Sequence, residues 1–305
     1  MAKREGLFWS RSTWIIIAAI LSCMAAYNLK TGRWANQNIA ALITRQMPQQ
    51  QTDSKKVETL TKQPDKALEQ GIAKWAEQER GKRINYVPPQ FRGKYIEEVE
   101  LKTPQKVIAL TFDDGPWPKM TNDVLHILKK YNVKATFFVV GRNVYLYPQE
   151  LQKIVDHGHA LGNHSWNHAY YYHNPLAAAK EIDNTTARIY KTINVKTSLF
   201  RPPGGIMNNG LVAYARKKNY VIVKWSADSE DYSVNQRRLT YNVLRRAKPG
   251  GIVLLHDGGG NRSKTIRALP VIITELRKQG YQFVTVPELL EMAQKELEMA
   301  QKEQK

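Results

Sequence analysis

The sequence predicts an α/β fold, a parallel sheet with helices outside it that curves into a seven-unit, complete or incomplete (β/α) barrel. Two observations carry the prediction. From Lys106 onward, apolar runs alternate with stretches of helical periodicity, and a repeating β–α order requires parallel strands joined by crossover helices. The second observation is phase. Histidines, carboxylates and an arginine recur at or just after the ends of the apolar runs, which is where α/β folds build their sites. Scattered surface residues would not keep that phase. An open sheet is the alternative architecture; the number of units favours closure.

The central run is Val107–Phe112, apolar and partly β-branched, and it stops abruptly at Asp113-Asp114-Gly115-Pro116. Neighbouring side chains on a strand point to opposite faces, so two adjacent acids serve one site only if the chain turns there. Gly115-Pro116 supplies the turn. A solvated turn with two surface acids is the competing reading, because Asp-Asp-Gly-Pro is also good turn chemistry. The later strands are Ala135–Val140, His159–Gly162, Leu199–Phe200, Tyr220–Trp225, Ile252–His256 and Tyr281–Val286. Helices are predicted over Thr121–Tyr131, Pro148–His157, Pro175–Thr192, Asn209–Asn219, Asn235–Ala247, Thr265–Gln279 and from Pro287 onward. The near-repeat Glu291–Leu297 and Glu298–Glu303 is helix-forming and mostly polar. It reads as a solvated C-terminal extension, 291–305. It is too short to claim a coiled coil.

Ahead of this domain, 106–290, lie two segments of other character. Residues 1–29 carry Lys3, Arg4 and Arg11 and then the apolar run Trp14–Ala26. The run is short for a free-standing span, which takes ~20 apolar residues, and it suits a secretory signal with a basic n-region. Trp9, Trp14 and Tyr27 are placed to hold it at the interface as an uncleaved signal-anchor. The bulk of the chain is then expected outside the cytoplasm, tethered or secreted. Ile20-Leu21-Ser22-Cys23 is a loose lipoprotein box in which Leu21 fits poorly; a helix buried in the core is the non-membrane reading. Residues 30–105 read as a polar stalk, disordered around Met47–Lys56. Within it a short helix is predicted over Leu68–Lys82, ended by Val87-Pro88-Pro89, and a strand over Tyr95–Leu101.

The chain has 305 residues, of which 42% are hydrophobic, enough for a sizeable core. Its 46 basic against 27 acidic residues give a net charge of +19, which favours a polyanionic neighbour such as an anionic wall, a membrane surface or nucleic acid. No helix-turn-helix, zinc-finger or RNP pattern supports the last, so nucleic acid is not expected. The single cysteine excludes an internal disulfide framework and any multi-cysteine zinc site. A metal here would have to use histidine and carboxylate.

His164-Ser165-Trp166-Asn167-His168 follows the third strand. Its i, i+4 spacing puts both imidazoles on one face of a helical turn, as in two-histidine metal sites. With seven histidines in the chain, a chance pair is the competing reading. Together with Asp114 the pair makes two histidines and one carboxylate with open positions. Zinc takes such a set with water in the remaining site, and ferrous iron uses similar ligands. Phe200-Arg201-Pro202-Pro203-Gly204-Gly205 follows the fourth strand. Its prolines stiffen the backbone and its glycines allow close approach, so the turn can aim the Arg201 guanidinium and the Gly204 N–H. Read alone it is also an ordinary turn. Trp225–Tyr232 places Asp228, Glu230 and Asp231 in a loop after the fifth strand, and Leu254-Leu255-His256-Asp257 ends the sixth with a histidine. No Gly-x-Ser-x-Gly elbow is present, which disfavours a serine nucleophile.

Thr-Phe-Asp-Asp-Gly-Pro, His-x-x-x-His, Arg-Pro-Pro-Gly, Asp-x-x-Asp-Tyr and Leu-x-His occur here in the order found in polysaccharide deacetylases, the carbohydrate esterases with a NodB-homology domain. The chain from Lys106 to Leu290 resembles that family. The resemblance implies a distorted (β/α) barrel and removal of N-acetyl groups from N-acetylglucosamine units of a polysaccharide. It implies Asp113 as general base, oriented by Arg201, and His256 as general acid, partnered by Asp231. Asp114, His164 and His168 would bind one divalent metal, zinc first, with cobalt, nickel, manganese or ferrous iron as alternatives. Gly204 would supply an oxyanion donor, and Leu254 and Tyr232 would line the pocket for the acetyl methyl. Two departures matter. Gly204 stands where the family often has tyrosine after Arg-Pro-Pro, which should leave one side of the groove more open. Tyr232 stands where tryptophan often follows the last aspartate. An exported, tethered, basic protein would lie against an anionic wall, so peptidoglycan is the expected N-acetylated glycan; chitin-type oligomers and a matrix polysaccharide are the alternatives. A catalytically silent glycan-binding domain would have lost a ligand or Asp113, and all of these are present.

Overall fold

The computed structural model describes residue 71, residues 85–102 and residues 105–303. The expected signal-anchor, 1–29, and most of the stalk lie outside the described residues. Of the predicted Leu68–Lys82 helix only Gly71 is described, and it is helical. Among the described residues no helix is long and apolar enough to cross a membrane.

Among the described residues nine strands form one sheet: β1 Tyr95–Ile96, β2 Val107–Asp113, β3 Thr136–Val139, β4 Ala160–Asn163, β5 Leu199–Phe200, β6 Val221–Val223, β7 Ala227–Asp228, β8 Gly251–His256 and β9 Gln282–Val284. Their pairings are parallel. From β2 the sheet runs one way through β3, β4, β5 and β6 to β1 and the other way through β8 to β7, and β9 also pairs with β2. Between β6 and β7 runs a seam, Lys224-Trp225-Ser226. There the Lys224 N–H donates to Ile96 of β1, and the Ser226 N–H donates to Ile252 of β8. The progression is that of a parallel half-barrel, consistent with a distorted barrel.

From residue 105 onward the helices are α1 Pro118–Lys130, α2 Gly141–Leu146, α3 Pro148–Asp156, α4 Pro175–Ile193, α5 Leu211–Lys217, α6 Gln236–Arg246, α7 Ser263–Lys278 and α8 Val286–Glu303. Local chemistry sets several boundaries. Asn174 caps α4 by accepting from the Ala177 N–H, with Pro175 at the first helical position, and Asn194 ends it in the left-handed conformation. Asn235 caps α6 through the Arg238 N–H. The polar C-terminal repeat is continuous with α8, and Glu296 accepts from the Lys102 N–H.

Every residue of β2 is buried, as expected of a parallel strand covered on both faces. Its alternation sorts two environments. Ile108, Leu110 and Phe112 pack outward into a cluster with Leu128, Leu151, Ile272 and Leu276 of the surrounding helices. Val107 and Ala109 face the other way, into a cluster with Val221, Val223, Leu289 and Leu290. On that inner face the column continues through Thr111 to Asp113, so an apolar base rises to a carboxylate at the strand's carboxyl end. In register, Asp113 lies opposite His256 and Phe138, and Asn163 lies opposite Phe200 and Val139. The strand ends therefore share one level, and the groups following them meet there.

Candidate active site

Asp113 and Asp114 are divided between two sets of partners. Asp113 Oδ1 accepts from Arg201 Nη1 at 2.7 Å. That guanidinium is fully buried and fixed on all sides. Nη1 also donates to Thr111 Oγ1 at 2.7 Å, Nε to the Val223 carbonyl at 3.1 Å and Nη2 to the Lys224 carbonyl at 2.9 Å. The Phe138 ring lies 4.0 Å beneath it. An arginine so satisfied can hold a carboxylate in one orientation.

Asp114 leaves the strand with φ 74°. Its carbonyl accepts from Asn143 Nδ2 at 2.7 Å, and its side chain meets the two histidines. His168 Nε2 is 3.0 Å and His164 Nε2 3.6 Å from Asp114 Oδ1. His164 Nδ1 lies 2.7 Å from the Arg201 carbonyl. A carbonyl only accepts, so Nδ1 carries the hydrogen, and Nε2 of the neutral ring is bare. Burial pushes His164 down to about 4, even with Asp113 beside it, so the ring is neutral near pH 7. Burial opposes ionisation of Asp114, but His168, with Nε2 3.0 Å from Oδ1, outweighs it, and the carboxyl is held well below the usual range. Asp114 Oδ1 is nevertheless buried without a hydrogen-bond partner. One donor atom from each of the three residues falls within 4.8 Å of the others. A bare imidazole nitrogen converging with an orphaned carboxylate oxygen is a donor set that a divalent cation satisfies, so the residues fit a metal.

The two histidines do not share a helical turn. Residues 164–168 are irregular, with φ 64° at Ser165 and 58° at His168. Side chains supply the hydrogen bonds a helix would have made. Asn163 Oδ1 accepts from the Ser165 N–H, and Ser165 Oγ from the His168 N–H. Glu181 of α4 accepts from the Trp166 and Asn167 N–H groups, both at 2.8 Å, and from Asn167 Nδ2 at 2.7 Å.

At the neighbouring end of β8, His256 Nδ1 is 2.6 Å from Asp231 Oδ1. Asp231 Oδ2 accepts from the His256 N–H at 2.9 Å and from Thr265 Oγ1 at 2.7 Å. Burial disfavours the charged imidazole, but the hydrogen bond and charge of Asp231 more than offset it, and the His256 pKa is raised. Burial likewise opposes a charged Asp231, yet His256 and Thr265 draw its pKa down. The cavity measures about 790 Å³ and is lined by Asp113, Asp114, His164, His168, Gly204, Tyr232, Leu254 and His256, among others. Arg201 and Asp231 stand behind it, Arg201 against Asp113 and Asp231 against His256. Tyr232 is 59% exposed, edge-on to the His256 ring.

The expectation of an open side at Gly204 is corrected. A Cβ there would come 2.8 Å from Tyr170 Cε1, because the Tyr170 ring already occupies that space. Other residues of the site escaped the sequence reading. Glu181 left one trace, a carboxylate on the buried stripe of α4 beside Ala178, Ile182 and Thr185. Thr265, Asn143 and Tyr170 left none. Arg262, with Nη2 3.6 Å from Asp114 Oδ2, is tied to the Gly258 carbonyl. Asp257 adjoins His256, is fully buried, accepts from Thr121 Oγ1, and is pushed up by burial to about 7.

The polysaccharide deacetylase family model matches residues 100–223, which hold Asp113, Asp114, both candidate ligand histidines, Arg201 and Gly204; Asp231 and His256 lie beyond the match. The chain is 40% identical over 197 residues to a peptidoglycan-N-acetylglucosamine deacetylase of Bacillus cereus, covering 63% of this chain and 91% of that protein. It is 32% identical to the peptidoglycan-N-acetylmuramic acid deacetylase PdaA of Bacillus subtilis, covering 69% of this chain and 80% of that one. The solved Bc1960 peptidoglycan N-acetylglucosamine deacetylase superposes with a TM-score of 0.62 at 31% identity, covering 68% of this chain and 98% of the other. A CE4 family pseudoenzyme from Bacillus anthracis also resembles it, at 30% identity and a TM-score of 0.59, covering 65% of this chain and 69% of the other. Family alone therefore does not carry activity, and the intact Asp113–Arg201 and His256–Asp231 pairs bear on it. With strand ends, candidate ligands and relatives agreeing, the chain belongs to the polysaccharide deacetylase family.

Proposed function

We propose that this protein is a metal-dependent peptidoglycan N-deacetylase that acts outside the cytoplasm and removes acetyl groups from N-acetylglucosamine units. The observation that carries the reading is the division of the two adjacent acids: Asp113 is paired with Arg201 at 2.7 Å and Asp114 with His168 at 3.0 Å, while His164 Nε2 stands 3.6 Å from both. Two turn acids in solvent would show neither. Asp114, His164 and His168 would hold the divalent cation, zinc first. When bound, such an ion polarises a carbonyl and lowers the pKa of a bound water. Asp113, aimed by Arg201, takes the proton of the attacking water. The Gly204 N–H, at the cavity wall, donates to the oxygen on which negative charge develops; one such donor is worth about 3–4 kcal/mol. His256, kept protonated by Asp231, gives its proton to the departing sugar amine, which would otherwise leave poorly. Leu254 and Tyr232 border the space for the acetyl methyl.

Peptidoglycan is favoured by the net charge of +19 and by relatives named for that substrate. The test is acetate release by the full chain from peptidoglycan, chitin oligomers and acetylated matrix polysaccharide, before and after chelation and with zinc restored. Release from peptidoglycan that chelation abolishes and zinc returns is expected. Release unaffected by chelation defeats the metal assignment, and release from chitin oligomers alone defeats the wall assignment.

A further inference from the structure

We propose that Tyr170 is a specificity-determining residue, an aromatic wall at the cavity rim against which a sugar ring of the glycan packs. The inference rests on the glycan substrate argued above. Gly204 adopts φ 60°, and a Cβ built on it would meet Tyr170 Cε1 at 2.8 Å and Cδ1 at 3.2 Å. The ring therefore lies directly on the Gly204 backbone. It also stands edge-on to His168, with centroids 5.2 Å apart and planes at 76°. These contacts cover part of the ring; 57% of the residue remains exposed, and it lines the same cavity as Asp114 and His256. A core tyrosine would be covered, and an incidental surface tyrosine would not line the cavity.

The ring is presented from a loop fixed on both sides. Before it, Glu181 holds the backbone of Trp166 and Asn167. After it, the His173 N–H donates to the Asn209 carbonyl at 2.8 Å, and Asn174 caps α4. Tyrosine has only two side-chain torsions to order, so a ring held this way meets a ligand with little loss of entropy. A pyranose offers an apolar face of C–H groups, the complement of an aromatic face. Tyr170 is assigned no proton-transfer or ligand role, so its ring acts on the sugar through packing. The tyrosines that follow, Tyr171 and Tyr172, are 67% and 72% exposed but do not line the cavity, so the wall is Tyr170 alone. Because Tyr170 stands at the rim, a longer glycan that runs out of the cavity should feel it more than a single sugar does.

The test is calorimetric titration of the full chain with N-acetylglucosamine and with its hexamer, alongside acetate-release kinetics. Tyr170→Ala should weaken hexamer binding about tenfold, equal to about 1.4 kcal/mol, with a smaller change for the monomer. KM should rise with kcat unchanged, the signature of lost uniform binding. Tyr170→Phe, which keeps the ring, should bind as the wild type does. Unchanged hexamer affinity in Tyr170→Ala overturns the inference, as does a Tyr170→Phe variant as weak as Tyr170→Ala, or a wild-type chain that does not bind the hexamer. Hexamer binding that depends on Tyr170 without any acetate release would instead overturn the proposed activity and leave the aromatic wall standing.

Discussion

Replacing Asp113 by Asn and, separately, Asp114 by Asn separates base from ligand. In Asp113→Asn the amide keeps an oxygen for Arg201 Nη1, which lies 2.7 Å from the native carboxylate, but offers no site for the proton of the attacking water. Turnover should fall by about 10²–10⁴, the usual worth of a general base. The same change removes the countercharge of a guanidinium that is wholly buried. Breaking such a pair costs ~3–5 kcal/mol. The amide still accepts one hydrogen bond, and Thr111, Val223 and Lys224 still take the others, so the loss should sit at or below the low end. Domains are stable by ~5–15 kcal/mol, so the variant should fold with a lowered Tm. Its metal content should match the wild type, because Asp113 is taken up by Arg201, whereas the contact with His168 and the orphaned oxygen belong to Asp114. Asp114→Asn should do the opposite and lose metal, with activity partly returning in excess zinc. Elemental analysis of the purified variants beside acetate-release kinetics reads both. Metal lost from Asp113→Asn and kept in Asp114→Asn would show the roles reversed; full turnover in both would return the pair to turn chemistry.

The acid-base pair predicts a pH profile. His256 works protonated, its pKa is raised by Asp231 against burial, and activity should be lost as pH rises through a value above the ordinary ~6.5. Asp231→Asn removes the raising interaction and leaves burial, so the alkaline limb of kcat/KM should move to lower pH; an unmoved limb would dismiss the pairing. Glu181→Ala frees the Trp166–Asn167 backbone and should weaken zinc affinity about 10–100-fold, the range for groups that position ligands. Competition with a chromophoric chelator measures it, and unchanged affinity would mean the turn holds its shape without Glu181.

How much of this was legible depended on where the information sits. β2, β3 and β8 were readable because a parallel strand covered on both faces shows as an unbroken apolar run. α2 was not, because its residues Gly141–Leu146 are too few to display a helical repeat. The histidine pair was readable as residue types at a spacing, but its backbone was not. The i, i+4 pattern matched a helix, whereas the conformation is set by Asn163, Ser165 and the distant Glu181. Arg201 is 88 residues from the carboxylate it holds, and no local pattern encodes such a partner; only the resemblance supplied it. Tyr170 had no signal at all, since nothing near it in sequence tells that its ring will rest on Gly204.

Asp114 shows why adjacent acids can do different work. Strict alternation along β2 would turn residue 114 outward, towards the helical layer that receives Phe112. A φ of 74° at Asp114 turns the chain instead. For most L residues that conformation costs about 1–2 kcal/mol, but Asp and Asn adopt it more readily. The Asn143 hydrogen bond to the Asp114 carbonyl holds it, and Gly258 leaves room, since a Cβ there would come 2.3 Å from that same oxygen. The turn therefore begins at the acid itself and not at the Gly115-Pro116 pair. It follows that Asp114→Asn tests the ligand with the backbone preserved, whereas Asp114→Ala would mix metal loss with backbone strain. If Asp114→Ala and Asp114→Asn lose metal equally but only the alanine variant lowers Tm, the left-handed turn and the ligand oxygen are separate contributions of one residue.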